Sequence, residues 1–214
     1  MLKDRIKELG INEGINKTGI QGIEIFKIST AFSKINTILP ASICIISQGS
    51  KNLYLGEEKY TYNENSYLIG TIKMPVKSEL INSSPENPCL GIIINLDVNI
   101  ITELLKIFDE LKDWQYEKKS KQIITISPMN KAIENSLERL LNISSNQMDI
   151  KVLSKSFIRE FFYEILKTPQ GHILRNSVQH HTKVHEMVPT IKYLEQNFQN
   201  DITIDEIAKF ASMS

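Results

Sequence analysis

Between residues 23 and 96 the chain is cut into short apolar runs closed by turn residues: 23–28, 43–47, 51–55, 59–62, 67–72, 76–82 and 90–96. Runs this short, rich in β-branched and aromatic residues, predict strands, and their regular spacing predicts a β-sandwich or barrel. Leu53 and Leu55 alternate with Tyr54, and Tyr60 and Tyr62 continue the alternation beyond Gly56-Glu57-Glu58, the pattern of a half-buried hairpin. Pro40, Pro75, Pro85 and Pro88 fall at run boundaries, where a missing N–H donor does least damage to a ladder.

On either side of this region the period changes. Leu2, Ile6 and Leu9 have helical spacing, and the glycine-rich residues 10–22 after them are expected to form a mobile arm. After Asp97, one helical face is formed by Val98, Ile101, Leu105 and Phe108 and another by Ala132, Ile133, Leu137, Leu140 and Leu141, with a short strand at 122–126 between them. A longer helix at 147–167 carries Ile150, Leu153, Phe157, Ile158, Phe161, Phe162, Ile165 and Leu166, an apolar face too wide for one partner. It should stop at Thr168-Pro169-Gln170-Gly171, because the residue before proline leaves the helical region and glycine accepts a left-handed cap. A polar, histidine-rich linker follows at 179–185. Over 186–214 a second helical pattern begins, with Thr203-Ile204-Asp205-Glu206 as a capping box before Ile207, Ala208 and Ala211. The fold class expected is α+β: an N-terminal helix and arm at 1–22, a barrel with amphipathic helices at 23–178, the linker, and a short C-terminal helical stub.

Charge and cysteine content exclude several functions. With 25 basic and 25 acidic residues, no overall field draws the chain to nucleic acid or a membrane, so any such contact must be local. Cys44 and Cys89 both lie in apolar runs, which predicts buried reduced thiols rather than a secreted disulfide framework. The charged start Lys3-Asp4-Arg5 and the absence of any run of about 18 apolar residues predict a cytoplasmic protein without a membrane partner.

Two segments carry a family resemblance. The first runs through Leu39-Pro40-Ala41-Ser42-Ile43-Cys44-Ile45-Ile46-Ser47-Gln48-Gly49-Ser50-Lys51, Tyr54-Leu55-Gly56, Ser66-Tyr67-Leu68, Lys73-Met74-Pro75-Val76 and Ser84-Pro85-Glu86-Asn87-Pro88-Cys89-Leu90, then resumes at Arg159-Glu160, Tyr163 and Thr168-Pro169-Gln170-Gly171. It is similar to the N-terminal domain of one large subgroup of AraC-type transcription regulators. The second, from Ile204 to Ser214, resembles the first helix of that family's helix-turn-helix. The resemblance implies a cupin-like jelly-roll barrel that binds a small-molecule effector and helices that form a homodimer. It also implies a DNA-binding domain with two helix-turn-helix units.

The sequence stops before the second helix of the first unit, the one that enters the major groove. Residues 186–214 also carry a net charge of −3, from Lys192 and Lys209 against Glu186, Glu195, Asp201, Asp205 and Glu206. DNA is therefore expected as a partner of the full-length regulator alone.

Candidate sites follow. A cupin metal centre needs several histidines on barrel strands, and residues 23–96 contain none; His172, His180, His181 and His185 all come later, so neither metal nor cofactor is expected. The positions proposed to line a ligand cavity are Cys44, Ile46, Tyr54, Tyr62, Tyr67 and Thr71, each of which ordinary strand packing would also explain. Lys73, beside Pro75 near a strand end, is expected to be exposed. Phe157, Phe161 and Phe162 are the candidates for a dimer contact. Trp114, the single tryptophan, is expected at a helix–barrel edge. With no nucleophile triad, P-loop or Rossmann fingerprint, no enzyme is expected. The rival readings are a metal-dependent cupin enzyme and a barrel that dimerises without binding a ligand.

Overall fold

A computed structural model describes residues 2–10, 12–111, 122–175 and 177–178. The chain clusters into two compact units, Met1–Ser177 and Val178–Ser214, and every described element lies in the first. These elements are helix α1 (Leu2–Leu9), strands β1 (Gly14–Lys17), β2 (Ile23–Ile28), β3 (Phe32–Leu39), β4 (Ser42–Gln48), β5 (Ser50–Leu55), β6 (Glu58–Asn63), β7 (Ser66–Gly70), β8 (Met74–Leu80) and β9 (Cys89–Asn95), then α2 (Val98–Glu110), β10 (Ile124–Pro128), α3 (Lys131–Asn142) and α4 (Gln147–Leu166), with 3-10 turns at Ile143–Ser145 and Pro169–His172. Trp114, His180, His181, His185 and the whole stub at 186–214 lie outside the described residues.

The strands form two antiparallel sheets, a larger one in the order β1-β2-β9-β4-β7-β10 and a smaller one in the order β3-β8-β5-β6. From β2 to β9 the chain passes back and forth between them, interrupted by the β5–β6 hairpin, which is the winding a jelly roll requires. Burial patterns reflect this position. In β8 buried and exposed residues alternate, because one face of the smaller sheet meets water. In β4 nearly every residue is buried, because the larger sheet is covered by the smaller sheet on one face and by helices on the other.

Between the sheets lies a cluster of Phe26, Leu39, Cys44, Ile46, Leu53, Tyr62, Leu68, Met74, Val76, Leu80, Cys89 and Ile124. Close approach sets one position in it: a Cβ on Gly91 would lie 2.3 Å from the Phe26 ring and 2.4 Å from the Ile45 carbonyl oxygen, so only glycine lets that ring lie flat on β9. Residues of the opposite parity, such as Ile25, Ile43, Ile45, Ile92 and Ile94, are fully or almost fully buried, as are Ile133, Leu137 and Leu140 of α3 and Phe161, Phe162 and Ile165 of α4 in the helical layer. Asp97, Asn130 and Asn146 cap α2, α3 and α4 by accepting from N–H groups of the first turn. Ion pairs between Arg139 and Glu160 and between Arg159 and Glu103 tie α4 to its neighbours.

Two strands depart from the sequence reading. Residues 10–22, expected as a mobile arm, contain β1, which pairs with β2 from Gly14 opposite Lys27 to Lys17 opposite Glu24. Its glycines at 14, 19 and 22 adopt positive φ and mark turns around a short strand rather than a linker. The missed strand β3 pairs with β8 and is exposed along almost its whole length, on both faces. A strand with no buried face carries no period-2 signal.

Candidate functional site

Cys44 and Ile46 point inward from β4, and Tyr62 points inward from β6, so three of the positions named from the sequence meet in the space between the sheets. The Tyr62 hydroxyl donates to the Cys44 sulfur at 3.4 Å. Burial pushes the Tyr62 phenol well above its usual range and the Cys44 thiol up, while the Cys89 thiol rises to about 12, again through burial first. All three are thus held neutral, and the site is apolar with weak donors in it. Partly exposed apolar side chains pack around this cluster, among them Ile28, Phe32, Leu55, Tyr60, Ile72 and Ile93.

The remaining named positions lie elsewhere. Tyr67 is fully buried but has the opposite parity to Leu68, so it faces the helical layer, where its hydroxyl donates to Thr168 Oγ1 at 3.3 Å. Thr71 is buried at the end of β7, with its hydroxyl donating to the Ile123 carbonyl at 3.0 Å, which ties β7 to the approach of β10. Tyr54 alternates with Leu53 and Leu55 and lies on the outer face of the smaller sheet, its hydroxyl donating to Glu79 at 2.5 Å. The interior expected of Tyr54 is filled by Leu53, a consequence of the same period-2 alternation that identifies the hairpin. Lys73 is exposed, as the sequence suggests.

The dimer candidates also move. Phe161 and Phe162 are fully buried inside the chain and Phe157 partly so, because the end of α4 is sandwiched between the sheet and the other helices. The unpartnered apolar residues of α4 lie in its first half, at Met148 and Val152, which are 68% and 63% exposed, and at Leu153.

Sequence reasoning missed Lys51. It lies opposite Tyr62 and has the parity of Leu53, so it faces between the sheets, with its ammonium 5.6 Å from the centroid of the Phe26 ring. The hairpin alternation that places Leu53 inside would have placed Lys51 there too. Among the described residues no group of three or more His, Cys, Asp and Glu could hold a metal ion, and no helix is long and apolar enough to cross a membrane.

The motif Thr168-Pro169-Gln170-Gly171 docks the end of α4 on the larger sheet. Thr168 Oγ1 accepts from Tyr67 of β7, and Gln170 Oε1 accepts from the Ser127 hydroxyl of β10 at 3.0 Å. One side of β7 therefore contacts the interior through Leu68 and the other contacts the helix terminus through Tyr67.

The family model for the N-terminus of AraC-type transcriptional regulators matches residues 19–173. No curated protein matches the sequence. Among solved structures, ToxT from Vibrio cholerae is 12% identical, with a TM-score of 0.53 over 90% of this chain and 71% of that one. ToxT from Vibrio cholerae O395 bound to (E)-4-(8-methylnaphthalen-1-yl)but-3-enoic acid is 14% identical, with a TM-score of 0.53 over 90% of this chain and 71% of that one. Unsaturated fatty acid bound wild-type ToxT from Vibrio cholerae strain SCE256 is 12% identical, with a TM-score of 0.50 over 90% of this chain and 69% of that one. At these identities the likeness is one of fold.

Proposed function

This chain belongs to the AraC-type transcriptional regulators, and on that premise we propose that residues 23–178 sense a small apolar effector between the two sheets and report it to a second copy and to DNA. The observation that carries this reading is the apolar cluster around Cys44, Ile46 and Tyr62, bordered by apolar side chains that remain partly open to solvent. A cluster with such a rim offers an amphiphile a place for its body, and Lys51 offers a cation at one end. That ToxT has been crystallised with an unsaturated fatty acid and with a naphthalenyl butenoic acid supports trying carboxylic acids of this kind first. Burial keeps the thiols protonated, which favours binding over nucleophilic catalysis at this site.

The exposed apolar half of α4 is the surface we assign to a homodimer in the cytoplasm. The reading for residues 186–214 remains that of the family's helix-turn-helix, with DNA as the partner of the whole regulator. Thermal denaturation with cis-hexadecenoate tests the effector proposal. A ligand that binds the folded state alone raises the melting temperature with concentration, and Lys51→Gln, which removes the proposed cation, should reduce the rise. No stabilisation by hexadecenoate, or an unchanged rise in Lys51→Gln, would count against an apolar acid beside Lys51.

A further inference from the structure

One buried hydroxyl is left out of the fold's own hydrogen bonding. Ser78 is 2% exposed and shares the parity of Val76 and Leu80 on β8, so its side chain points into the space between the sheets. Its hydroxyl has no hydrogen-bond partner among the described residues. Every other buried serine or threonine among them donates to an acceptor, as Ser47 does to the Leu90 carbonyl at 3.3 Å and Ser136 to the Ile133 carbonyl at 2.8 Å. An unpaired buried hydroxyl is costly, and folds rarely keep one without a use.

The strand order explains why no acceptor is at hand. Strand β8 lies between β3 and β5, and the carbonyls on both sides are engaged in the ladders. Directly opposite Ser78 are Ile35 and Leu53, whose side chains accept nothing. The polar neighbour is diagonal. Lys51, two residues before Leu53 on the same inner face, is at a Cβ spacing of about 7 Å that a lysine side chain spans. Its ammonium forms no ion pair with a described residue. Two neighbouring strands thus offer two donors to one region of the interior, a hydroxyl from β8 and an ammonium from β5.

Resting on the reading that the effector is an apolar acid, we infer that its carboxylate lies between these two side chains, accepting from the Ser78 hydroxyl on one oxygen and from the Lys51 ammonium on the other. Ser78 is then a specificity-determining residue of the site. A carboxylate is the head group that fits, because it is an acceptor only, its charge offsets that of Lys51, and its two oxygens match two donors. An alcohol head could pair with Ser78 but would leave the Lys51 charge without a partner. The body of the acid then runs from β5 and β8 toward Cys44 and Ile46 on β4.

Isothermal titration of the full chain with cis-hexadecenoate, in the parent and in Ser78→Ala, tests this. The variant should bind about tenfold more weakly or worse, the loss expected for a hydrogen bond to a charged group. Its urea midpoint should be no lower than that of the parent, because removing an unpaired buried hydroxyl removes its desolvation cost. With the acid labelled with carbon-13 at the carboxyl, the bound head group should titrate at lower pH in the parent than in Ser78→Ala, since the donors favour its ionised form. No binding to the parent would overturn the effector reading and this inference with it. Equal affinity in the two proteins would leave an acid between the sheets and overturn the role given to Ser78. Weaker binding with an unchanged carboxyl titration would make Ser78 a packing residue and overturn it too, as would a lowered urea midpoint with unchanged affinity.

Discussion

Tyr62 and Cys44 join the two sheets across the apolar interior, the phenol donating to the sulfur at 3.4 Å. A buried hydroxyl without an acceptor is costly, so the cysteine both packs and satisfies a polar group that the strand pattern forces inside. Removing the hydroxyl in Tyr62→Phe should cost about 1 kcal/mol, because donor and desolvation penalty disappear together. Truncation in Tyr62→Ala should cost about 3–5 kcal/mol through the cavity left between the sheets. Urea denaturation of the two variants checks both, and equal costs would show that packing around the ring is not what holds this region.

Alkaline pH should weaken the fold. Burial raises the Cys89 thiol from its ordinary 9.0 to about 12 and pushes the Cys44 thiol up in the same direction. A folded-state value above the unfolded one means that this contribution is complete below about pH 9 and is lost as pH climbs from there toward 12. Melting temperature measured from pH 7 to pH 11 should therefore fall beyond pH 9, and less steeply in Cys89→Ala. Both thiols should also resist iodoacetamide until the protein is unfolded. Rapid labelling of the native protein would contradict the burial argument.

Gly91 is the position where an added methyl group has nowhere to go. The Phe26 ring and the Ile45 carbonyl both stand within 2.4 Å of where its Cβ would be, and one of them is backbone. Gly91→Ala should cost about 1–3 kcal/mol or more as an overpacked site. Phe26→Leu in the same chain should recover part of the loss, since it removes the ring that clashes. Chemical denaturation of the single and double variants measures the recovery, and purely additive losses would place the strain on the Ile45 carbonyl alone.

How much of this was legible in the sequence depends on whether a residue has one buried face. The hairpin of β5 and β6 has such a face, so the alternation of Leu53, Leu55, Tyr60 and Tyr62 announces both the turn and the inner row. Strand β3 has none, and its residues read as loop. Cys44, Ile46 and Tyr62 face the interior, while the side that Tyr67 faces cannot be read from the sequence, because β7 lies in a sheet covered on both faces and its parity is hidden by uniform burial. The burial of Phe161 and Phe162 is hidden for a similar reason: a wide apolar face tells how much surface a helix buries, but not which half is covered by its own chain.

Self-association should respond to the first half of α4 and not to its aromatic end. Met148→Glu with Val152→Glu places charge on residues that are exposed in the single chain, so folding should survive while a dimer joined there weakens. Phe161→Glu buries an unpaired carboxylate in the helical layer and should unfold the chain instead. Sedimentation velocity combined with circular dichroism separates these outcomes. A dimer unaffected by the Met148 and Val152 changes would move the interface off this helix.

The last relationship with a functional consequence is that between Tyr67 and Thr168. Tyr67 and Leu68 are consecutive on β7, so one faces the end of α4 while the other faces the space proposed for the effector. The Thr168 hydroxyl donates to the Ile165 carbonyl at 2.7 Å and accepts from Tyr67, which fixes the helix terminus relative to the strand. An effector that displaces Leu68 must shift this strand, and the hydrogen bond passes the shift to the helix whose other half carries the exposed apolar residues. Tyr67→Phe keeps the ring and its packing, so stability should fall by only about 1 kcal/mol. The rise in melting temperature with hexadecenoate should remain, since nothing between the sheets has changed. What should disappear is the effect of hexadecenoate on the dimerisation constant, because coupling between two sites requires an element whose position both of them bias. If Tyr67 had a purely structural role, the variant would lose stability while its dimerisation constant still responded to the acid as in the parent protein, and that result would sink the proposed route.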